Sequence, residues 1–467
     1  MSRFEKTIQF LYDLQLFGIK VGLKNIRTLC GVLNHPEREF PSIHIAGTNG
    51  KGSTASMIAS ILSASGYRTG LYTSPHLLQF NERIRIDGKQ ISDEEIGEYT
   101  KFLTPAINKM KATFFEATTA IAFKHFADRN IDIAVIETGL GGRLDATNVV
   151  TPLLSIITNI GLDHTEYLGS TYAHVAREKG GIIKKGIPCL TATTEPSALK
   201  TLERIAKARD SQLFQAETAS DVEILESTLR GLKVTIRPTA RAGFRLRLNI
   251  PSRTPRGISA PPQQSVPHSM RDFGSASTIR NLILPLPGSH QIPNLQLALL
   301  AIQHLKEHMG FNRISSSNIR KGLAKIRRFS GIRGRLDIIR LSPLVIADVA
   351  HNPAAVSTLV DVLSHLINRK CLVVFGVMKD KDYLDMARRL AHISRLTIAV
   401  QPATDRALAS REIARIFRGD HAASTDGGSV AKGLATALRR ARDKEPILVT
   451  GSHFVVGEAM KHLGVKV

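Results

Sequence analysis

A glycine-rich loop between a predicted strand and a predicted helix constrains this chain more than any other feature. Residues 44–54 read His-Ile-Ala-Gly-Thr-Asn-Gly-Lys-Gly-Ser-Thr, after an apolar run at 42–46 and before apolar residues at helical spacing. Glycines let backbone N–H groups and the helix N-terminus approach a phosphate chain, and the lysine can reach the terminal phosphates. The spacing differs from the standard P-loop, because Ile45 occupies the first glycine position. We nevertheless expect a phosphate site here rather than a glycine turn that binds nothing.

The length and composition are those of a multidomain globular protein. At 467 residues with 43% hydrophobic residues, the chain is too long for one ordinary core, so we expect two or more domains. No apolar run reaches the length of a membrane span, and the N-terminus lacks the pattern of a signal peptide. Cys30, Cys189 and Cys371 are too widely spaced for a disulfide framework or a zinc site, so they predict reduced thiols in a core. These features favour a cytoplasmic protein with no membrane partner.

The net charge of +23 leaves a second class of function open, since a chain this basic suits binding to nucleic acid. However, the chain has no tryptophan and only 5% aromatic residues, so platforms that stack on single-stranded bases would be sparse. Its basic residues are also spread along the sequence rather than gathered in one arm. We therefore expect a monomer with small polyanionic substrates and no nucleic acid. A basic nucleic-acid-binding P-loop NTPase is the alternative.

Alternating strands and helices predict an α/β fold with two domains, because this pattern is typical of a doubly wound, mostly parallel sheet. In the first half the apolar strand segments are 42–46, 68–73, 131–137, 154–160 and 187–192. A second series at 344–348, 371–375, 396–400 and 446–450 predicts a smaller Rossmann-like domain without its own phosphate loop. We divide the chain into a nucleotide-binding domain at 1–330 and a C-terminal domain at 331–467.

Between the two series the pattern changes. Segments 222–225, 232–236 and 244–250 look like short antiparallel strands. Residues 251–280 are rich in proline, serine and arginine and poor in large apolar residues, which predicts a mobile surface insertion without a packed core. The sequence Phe-Ser-Gly-Ile-Arg-Gly-Arg at 329–335 predicts a hinge between the domains.

Polar residues gather where the predicted parallel strands end, which is the edge where open α/β sheets bind ligands. Ser74 follows the second strand, Glu137 ends the third, and His164 follows the fourth. A carboxylate at the end of a buried strand beside a nucleotide loop is a natural Mg²⁺ ligand, since hard cations prefer oxygen donors. Taken alone, Glu137 could cap a helix and His164 could be structural. Their joint placement favours a site.

Long motifs in a fixed order extend along the chain. They include Thr-Ser-Pro-His at 73–76, Glu-Thr-Gly-Leu-Gly-Gly-Arg-Leu-Asp-Ala-Thr-Asn at 137–148 and Asp-Val-Ala-His-Asn-Pro at 348–353. The complete set is 44–53, 72–77, 80–83, 137–148, 162–164, 177–183, 288–291 and 348–353. With these motifs the chain resembles the folylpolyglutamate synthase and dihydrofolate synthase branch of the Mur ligase superfamily.

The resemblance implies an ATP-dependent acid–amino-acid ligase. In that reaction the γ-phosphoryl group of ATP is transferred to the carboxylate of dihydropteroate or a reduced folate, and the amine of L-glutamate then displaces phosphate. The implied cofactors are ATP and two Mg²⁺ ions, and the family also allows a monovalent cation. The resemblance further implies a carbamylated Lys179 near the second metal, where an ammonium group would be repelled. The form of the motif at 143–148 resembles bifunctional members, so we expect both activities; a monofunctional folylpolyglutamate synthase is the alternative.

The family's functional residues map onto positions of this sequence. The catalytic residues map to Lys51, Glu137, His164, Lys179 and His351, and the Mg²⁺ ligands to Ser74, Glu137 and His164. Nucleotide contacts map to Thr48, Asn49, Gly50, Lys51, Gly52, Ser53, Asn294, Arg335 and Asp348. The pteroate pocket maps to Gly22, Leu23, Lys24, Asn25, Thr113, Phe114, Phe115, Glu116, Leu144, Asp145 and Ala146. Many members carry arginine where Asn25 stands here, and glycine where Val349 stands.

A cell-wall Mur ligase, which uses the same chemistry on UDP-linked muropeptides, is another alternative. Those members carry a separate N-terminal UDP-binding domain, and the residues that precede the loop at 44 are too few to form it. We therefore expect the folate branch.

Overall fold

The computed structural model describes residues 3–14, 22–239 and 278–465. Within these ranges the chain forms two α/β units, each built on its own mostly parallel sheet, and one small antiparallel sheet. The predicted strand at 244–250 and most of the predicted insertion at 251–280 lie outside the described residues.

The N-terminal sheet places β1 among parallel neighbours. Its strands are β1 (Ser42–Ala46), β2 (Thr69–Tyr72), β3 (Ile84–Ile86), β4 (Lys89–Gln90), β5 (Ile133–Glu137), β6 (Leu154–Ile157), β7 (Cys189–Thr191) and β8 (Leu213–Gln215). Their order is β4-β3-β2-β5-β1-β6-β7-β8, and every neighbouring pair is parallel except the two that involve β3, which are antiparallel. Every residue of β1, β2 and β5 is buried, as expected for parallel strands covered on both faces. The predicted doubly wound, mostly parallel sheet is confirmed.

Helices pack on both faces of this sheet. They are α1 (Arg3–Asp13), α2 (Lys24–Val32), α3 (Lys51–Ala64), α4 (Asp93–Met110), α5 (Phe114–Asp128), α6 (Thr165–Leu168), α7 (Tyr172–Gly180), α8 (Pro196–Ala208), α9 (Gln291–His308), α10 (Ser316–Ala324) and α11 (Ile326–Ser330). In one core, α3 and α9 pack Met57 and Leu297 with side chains of β1 and β5. In a second core, α2, α4 and α5 contribute Ile26, Leu103 and Phe123. The sheet is therefore held between two apolar layers, which fixes the positions of its strand ends.

A small antiparallel sheet extends the first of these cores. It consists of β9 (Ser220–Thr228), β10 (Gly231–Pro238) and β11 (Ile279–Leu284), with β10 in the middle. Leu232, Val234 and Leu282 are buried in the core that contains α3 and α9. Because β11 begins at Ile279, the last two residues of the predicted insertion belong to a strand.

The C-terminal unit is a second parallel sheet with helices on both faces. Its strands are β12 (Asp337–Leu341), β13 (Leu344–Asp348), β14 (Cys371–Phe375), β15 (Ser394–Gln401), β16 (Ser424–Ser429) and β17 (Ile447–Thr450), and its helices are α12 (Pro353–Leu366), α13 (Tyr383–Ile393), α14 (Ser410–Gly419), α15 (Val430–Arg440) and α16 (His453–His462). The order is β12-β13-β17-β14-β15-β16, and only β12 is antiparallel to its neighbour. This confirms the predicted Rossmann-like second sheet.

Cys30, Cys189 and Cys371 are buried and unpaired, as predicted for core thiols. In the described ranges, no helix has both the length and the apolar character needed to cross a membrane.

A buried carboxylate lies where the two units join. Asp337, at the start of β12, is 1% exposed. Its Oδ2 accepts hydrogen bonds from Nε of Arg333 and from the N–H of Gly334, and its Oδ1 lies 3.0 Å from Nη2 of Arg327 in α11. Because Arg327 precedes the predicted hinge at 329–335 and Asp337 follows it, these contacts connect both ends of the hinge.

We expect Asp337→Asn to lower the free energy of unfolding by about 1–3 kcal/mol, because the substitution keeps the side-chain size but removes the buried negative charge that Arg327 and Arg333 both contact. Arg411→Gln is the matched control, since Arg411 is 86% exposed beside Asp426 and a surface pair contributes about 0–1 kcal/mol. Urea unfolding of both variants measures the difference. An effect of Asp337→Asn no larger than that of the control would contradict the account.

Candidate active site

The phosphate loop connects the buried β1 to α3, and its path requires glycine. Gly50 has φ of 84°, and a Cβ atom at this position would lie 2.2 Å from Oδ1 of Asn294. The N–H groups of Thr48 and Asn49 are anchored to the carbonyl and side-chain oxygens of Asn159, at 3.0 and 2.8 Å. No side chain caps the N-terminus of α3, so its first N–H groups are available to an anion.

Lys51 and Lys179 place two ammonium groups on one carbonyl oxygen. Nζ of Lys51 lies 3.1 Å from the oxygen of Gly47, and Nζ of Lys179 lies 2.7 Å from the same atom. Burial, and then the charge of Lys51, lower the pKa of Lys179 to about 7. Lys179 is therefore about half neutral at neutral pH, which an ordinary surface lysine is not.

Glu137 ends β5 beside the loop as a buried carboxylate. Its Oε2 accepts a hydrogen bond from the N–H of Ser74, which follows β2, at 3.2 Å. Burial raises the pKa of Glu137, while Lys51, the N–H of Ser74 and Arg335 oppose that rise. The carboxylate thus lies among positive groups without a charged hydrogen-bond partner in the part of the chain that the structure describes. Such an oxygen donor suits a hard cation.

Asp348 is the carboxylate that the second unit contributes. It ends β13, and its two oxygens accept the N–H groups of Leu336 and Ala350 at 2.8 and 2.9 Å. Burial raises the pKa of Asp348, and the guanidinium of Arg335 opposes this. Asp348 is therefore fixed in place by the backbone on either side of it, at the strand end that faces the first unit.

His351 has a defined tautomer. Its Nδ1 lies 2.9 Å from the carbonyl oxygen of Val349, which accepts only, so Nδ1 carries the proton. Burial lowers the pKa of the imidazole to about 4, so the ring is neutral at physiological pH. Nε2 is then left as an acceptor inside the site.

Asp163 joins the two units at the edge of the site. Its Oδ1 accepts a hydrogen bond from Nζ of Lys381 at 2.7 Å, and its Oδ2 accepts one from Nδ2 of Asn352 at 3.0 Å. Asn352 also donates to Oδ1 of Asn49 in the phosphate loop, at 3.2 Å. Burial alone would raise the pKa of Asp163, but Lys381 and His164 outweigh it and hold this pKa well below its usual range. The pair of Asp163 and Lys381 is therefore charged at neutral pH.

The sequence patterns assigned no role to several residues of this site, among them Asp163, Lys381, Asn352 and His453. For two of these residues the sequence did contain an indication of a role in the site, namely their position after strands of the second sheet. Lys381 follows β14, and His453 follows β17, so both lie beyond carboxyl ends, where ligands bind in parallel sheets.

A cavity of about 640 Å³ lies between the units and collects the predicted nucleotide, metal and catalytic residues. Its lining includes Thr48, Asn49, Gly50, Lys51, Gly52, Ser53, Ser74, Glu137, His164, Lys179, Asn294, Arg335, Asp348 and His351. Residues far apart in sequence thus converge on one space, and Ser74, Glu137 and His164 do so from the strand ends where the sequence placed them.

Among the residues that the structure describes, the lining of this cavity includes none of the predicted pteroate residues. Oε2 of Glu116 accepts hydrogen bonds from the N–H of Thr113 at 2.7 Å and from Nδ2 of Asn25 at 3.2 Å, so it caps α5 and ties it to α2. Oδ2 of Asp145 accepts the N–H of Leu140 at 2.8 Å, and Leu140 does line the cavity. Their assignment to a pteroate substrate stays a prediction.

Within the described ranges, no three side chains of His, Cys, Asp or Glu gather in a way that could hold a metal ion. Mg²⁺ in phosphoryl-transfer sites is held by one or two carboxylates, by waters and by the phosphates of the substrate, so it needs no such cage. The buried Glu137 beside the phosphate loop fits that mode. The assignment of Ser74, Glu137 and His164 to two metal ions stays a prediction.

Two protein-family models match the chain: the Mur ligase middle domain over residues 45–251, and the Mur ligase glutamate ligase domain over residues 334–453. The dihydrofolate synthase/folylpolyglutamate synthase of Bacillus subtilis is 34% identical over 457 residues, which cover 96% of each chain. The folylpolyglutamate synthase of Lacticaseibacillus casei is 31% identical over 468 residues and 98% of each chain.

Solved structures share the fold over nearly the whole chain. The Mycobacterium tuberculosis folylpolyglutamate synthase complexed with ADP has a TM-score of 0.81 and 28% identity, covering 99% of both chains. The E. coli FolC protein in complex with DHPP and ADP has a TM-score of 0.80 and 25% identity, covering 98% of this chain and 97% of that one. With both Mur ligase domains matched and relatives aligned over almost their full length, the chain belongs to the folylpolyglutamate synthase/dihydrofolate synthase family of Mur ligases.

Proposed function

We propose that this protein is an ATP-dependent ligase that joins the amine of glutamate to a carboxylate of dihydropteroate or of a reduced folate. The observation that carries the proposal is the single cavity in which the phosphate loop and Glu137 of one unit face Asp348 and His351 of the other. Relatives of similar length are named for these activities, and the E. coli relative was solved with DHPP and ADP. We place the nucleotide-binding domain at 1–330 and the glutamate-ligase domain at 331–467.

The first step is phosphoryl transfer, which depends on position and charge more than on covalent help from the protein. The first N–H groups of α3 and the ammonium group of Lys51 hold the phosphates of ATP, with Arg335 beside them and Asp348 on the ribose. An oxygen of the acceptor carboxylate attacks the γ-phosphorus, the bond to the β-phosphate oxygen breaks, and ADP leaves. Ser74, Glu137 and His164 would hold Mg²⁺ at two sites, and the bound ions would supply charge neutralisation.

The second step is attack of the glutamate amine on the acyl carbon, with loss of phosphate. Neutral His351 presents Nε2 as an acceptor, because its Nδ1 proton is given to the carbonyl of Val349. We assign to this nitrogen the hydrogen bond that orients the incoming amine. A protonated imidazole would instead repel the ammonium form of glutamate.

Water has to be kept from the acyl phosphate, since hydrolysis would waste the transferred group. Two contacts between the units lie at the edge of the cavity: Lys381 with Asp163, and Asn352 with Asn49. Both join residues of different units, so they hold the two sides of the cavity together. We assign to them the exclusion of water during transfer.

The same site accepts both acceptor types in this proposal. The motif at 143–148 has the form that resembles bifunctional members, and the Bacillus subtilis relative is named for both activities. The Lacticaseibacillus casei relative is named as a folylpolyglutamate synthase only, so a monofunctional enzyme is the competing proposal.

Lys179 is proposed to carry a carbamate. A carbamate forms when a neutral amine attacks CO₂ and loses a proton, so a lysine with a lowered pKa is suited to it. In the structure Nζ of Lys179 shares the carbonyl of Gly47 with Nζ of Lys51. Carbamylation would replace one of these two positive charges by a negative one and relieve their repulsion.

The test of the function is ADP formation by the purified protein with ATP, Mg²⁺ and glutamate. We expect turnover only when dihydropteroate or tetrahydrofolate is added, with one glutamate joined for each ADP released. Turnover with both acceptors supports the bifunctional form, and turnover with tetrahydrofolate alone supports the monofunctional one. ATP hydrolysis that ignores both acceptors and responds to DNA or RNA would instead favour the nucleic-acid-binding class.

Glu137→Gln is the variant for this assay, because it keeps the size of the side chain and removes the charge assigned to both metal ions. We expect turnover to fall by about a hundredfold or more, while circular dichroism and the thermal midpoint stay close to the wild type. Turnover near the wild-type level would show that Glu137 has no such role.

The carbamate prediction has its own test in ¹³C NMR with labelled bicarbonate. At pH 8, one unit above a pKa of about 7, about nine-tenths of Lys179 is neutral, so we expect a carbamate signal that weakens as the pH falls through 7. Lys179→Ala should abolish the signal. Lys184→Ala is the matched control, since burial also lowers the pKa of Lys184, to about 8. A signal that survives Lys179→Ala, or none in the wild type, would remove the carbamate.

A further inference from the structure

Arg83 is a buried arginine that has no anionic partner among the residues that the structure describes. It is 7% exposed, at the end of the turn Phe80–Arg83 that leads into β3. Its Nε donates to Nδ1 of His76 at 2.8 Å. Among the described residues, Nε alone of the Arg83 guanidinium has a hydrogen-bond acceptor, so neither Nη group is filled and no carboxylate lies within ion-pair distance. Buried guanidinium groups are normally paired, because taking the charge out of water is costly.

The carboxylate of the adjacent residue, Glu82, already accepts hydrogen bonds from the backbone. The oxygens of Glu82 accept the N–H groups of Leu77, Leu78 and Gln79 at 2.9, 2.7 and 2.6 Å. Glu82 therefore holds the loop after β2 and leaves Arg83 without a neutralising contact. An anion that paired directly with this guanidinium would therefore come from outside the described residues.

A hydrogen-bonded chain fixes the direction of the guanidinium. Because Nε–H of Arg83 can only donate, Nδ1 of His76 accepts, and the proton of the neutral ring is on Nε2. Nε2 of His76 lies 3.1 Å from the hydroxyl oxygen of Tyr12 and donates to it. The hydroxyl proton of Tyr12 is then free to donate in turn. Arg83 and Tyr12 together therefore present N–H and O–H donors to a ligand. His76 already donates to the Tyr12 oxygen and already accepts from Nε of Arg83.

These hydrogen-bond donors lie between the cavity and the predicted pteroate pocket. His76 comes directly after Ser74 and Pro75, which line the cavity. On the other side, the guanidinium carbon of Arg83 lies 5.0 Å from the ring centre of Phe114, the first residue of α5, and that ring is 5.7 Å from Tyr12. An acceptor that runs from the segment at 113–116 to the phosphate loop would therefore pass this group.

We propose that Arg83, oriented by His76 and assisted by the hydroxyl of Tyr12, binds a carboxylate of the acceptor substrate. The proposal rests on the proposed function, since it assumes a pteroate or folate acceptor. Planar guanidinium groups bind carboxylates through paired N–H donors, which matches the two unfilled Nη groups. Dihydropteroate has a single carboxylate, the one that reacts, whereas tetrahydrofolate also carries the α-carboxylate of its glutamate. The experiment separates these two sources.

The test compares Michaelis constants of the wild type, Arg83→Gln and Arg83→Lys for each substrate. We expect Arg83→Gln to raise the KM of the acceptor by about tenfold or more, with the KM of ATP and of glutamate unchanged, and Arg83→Lys to have a smaller effect because the charge is kept. An equal rise for dihydropteroate and tetrahydrofolate assigns the reacting carboxylate. A rise for tetrahydrofolate alone assigns the α-carboxylate.

Arg85→Gln is the matched control, since Arg85 is 5% exposed in the same segment but donates to the carbonyl oxygens of Glu82 and Gly88. An unchanged acceptor KM in Arg83→Gln would overturn the proposal, as would a rise shared by ATP and glutamate or reproduced by Arg85→Gln. If Arg83→Gln does not fold, Arg83→Lys and Tyr12→Phe provide the test. The proposal then expects each of them to raise the KM of the acceptor while the KM of ATP and of glutamate stays unchanged. A wild type without ligase activity would instead refute the proposed function.

Discussion

Positive charge concentrated around one turn of backbone is the constraint on which the rest of this structure depends. Lys51 and Lys179, the latter about half charged at neutral pH, donate to the same carbonyl oxygen of Gly47, and the uncapped N-terminus of α3 adds further positive character. Such an arrangement is costly in a buried place unless an anion completes it. The parallel sheet positions this turn at its carboxyl edge, where Glu137 balances only part of the charge. The phosphates of a nucleotide are the anions that fit the remainder.

The second unit completes what the first leaves open. Asp348, His351 and Lys381 all follow strands of the second parallel sheet, so the carboxyl edges of the two sheets face each other across the cavity. Each edge alone holds an incomplete set of groups: the first has the phosphate loop, and the second has the carboxylate and the imidazole to which we assign the ribose and the amine. Asp163 belongs to the first unit, yet its hydrogen bonds to Asn352 and Lys381 are made with the second. A reaction that joins two substrates has its natural place at such a junction.

Much of this arrangement could be predicted from local sequence. The strand–loop–helix pattern at 42–64 identified the phosphate loop, and the position of Glu137 at a strand end identified the buried carboxylate. Contacts made by domain packing could not be predicted, because Asp163 and Lys381 are 218 positions apart and no local pattern in the sequence pairs one with the other. The pteroate residues differ again: Thr113 and Glu116 form a reciprocal helix cap, a pattern that is visible in the sequence and competes with a ligand role. The role proposed for Arg83 could not be predicted from the sequence, because the lack of an anionic partner becomes evident only when the residues around the guanidinium are placed.

The central claim is that an acyl phosphate of the acceptor forms in the cavity shared by the two units. The most direct measurement uses an acceptor labelled with ¹⁸O in its reacting carboxylate and determines the mass of the phosphate released during ligation. Because the carboxylate oxygen that attacks the γ-phosphorus stays with that phosphorus when the amine displaces it, the account predicts one ¹⁸O atom in each phosphate. Release of unlabelled phosphate during amide formation would contradict it.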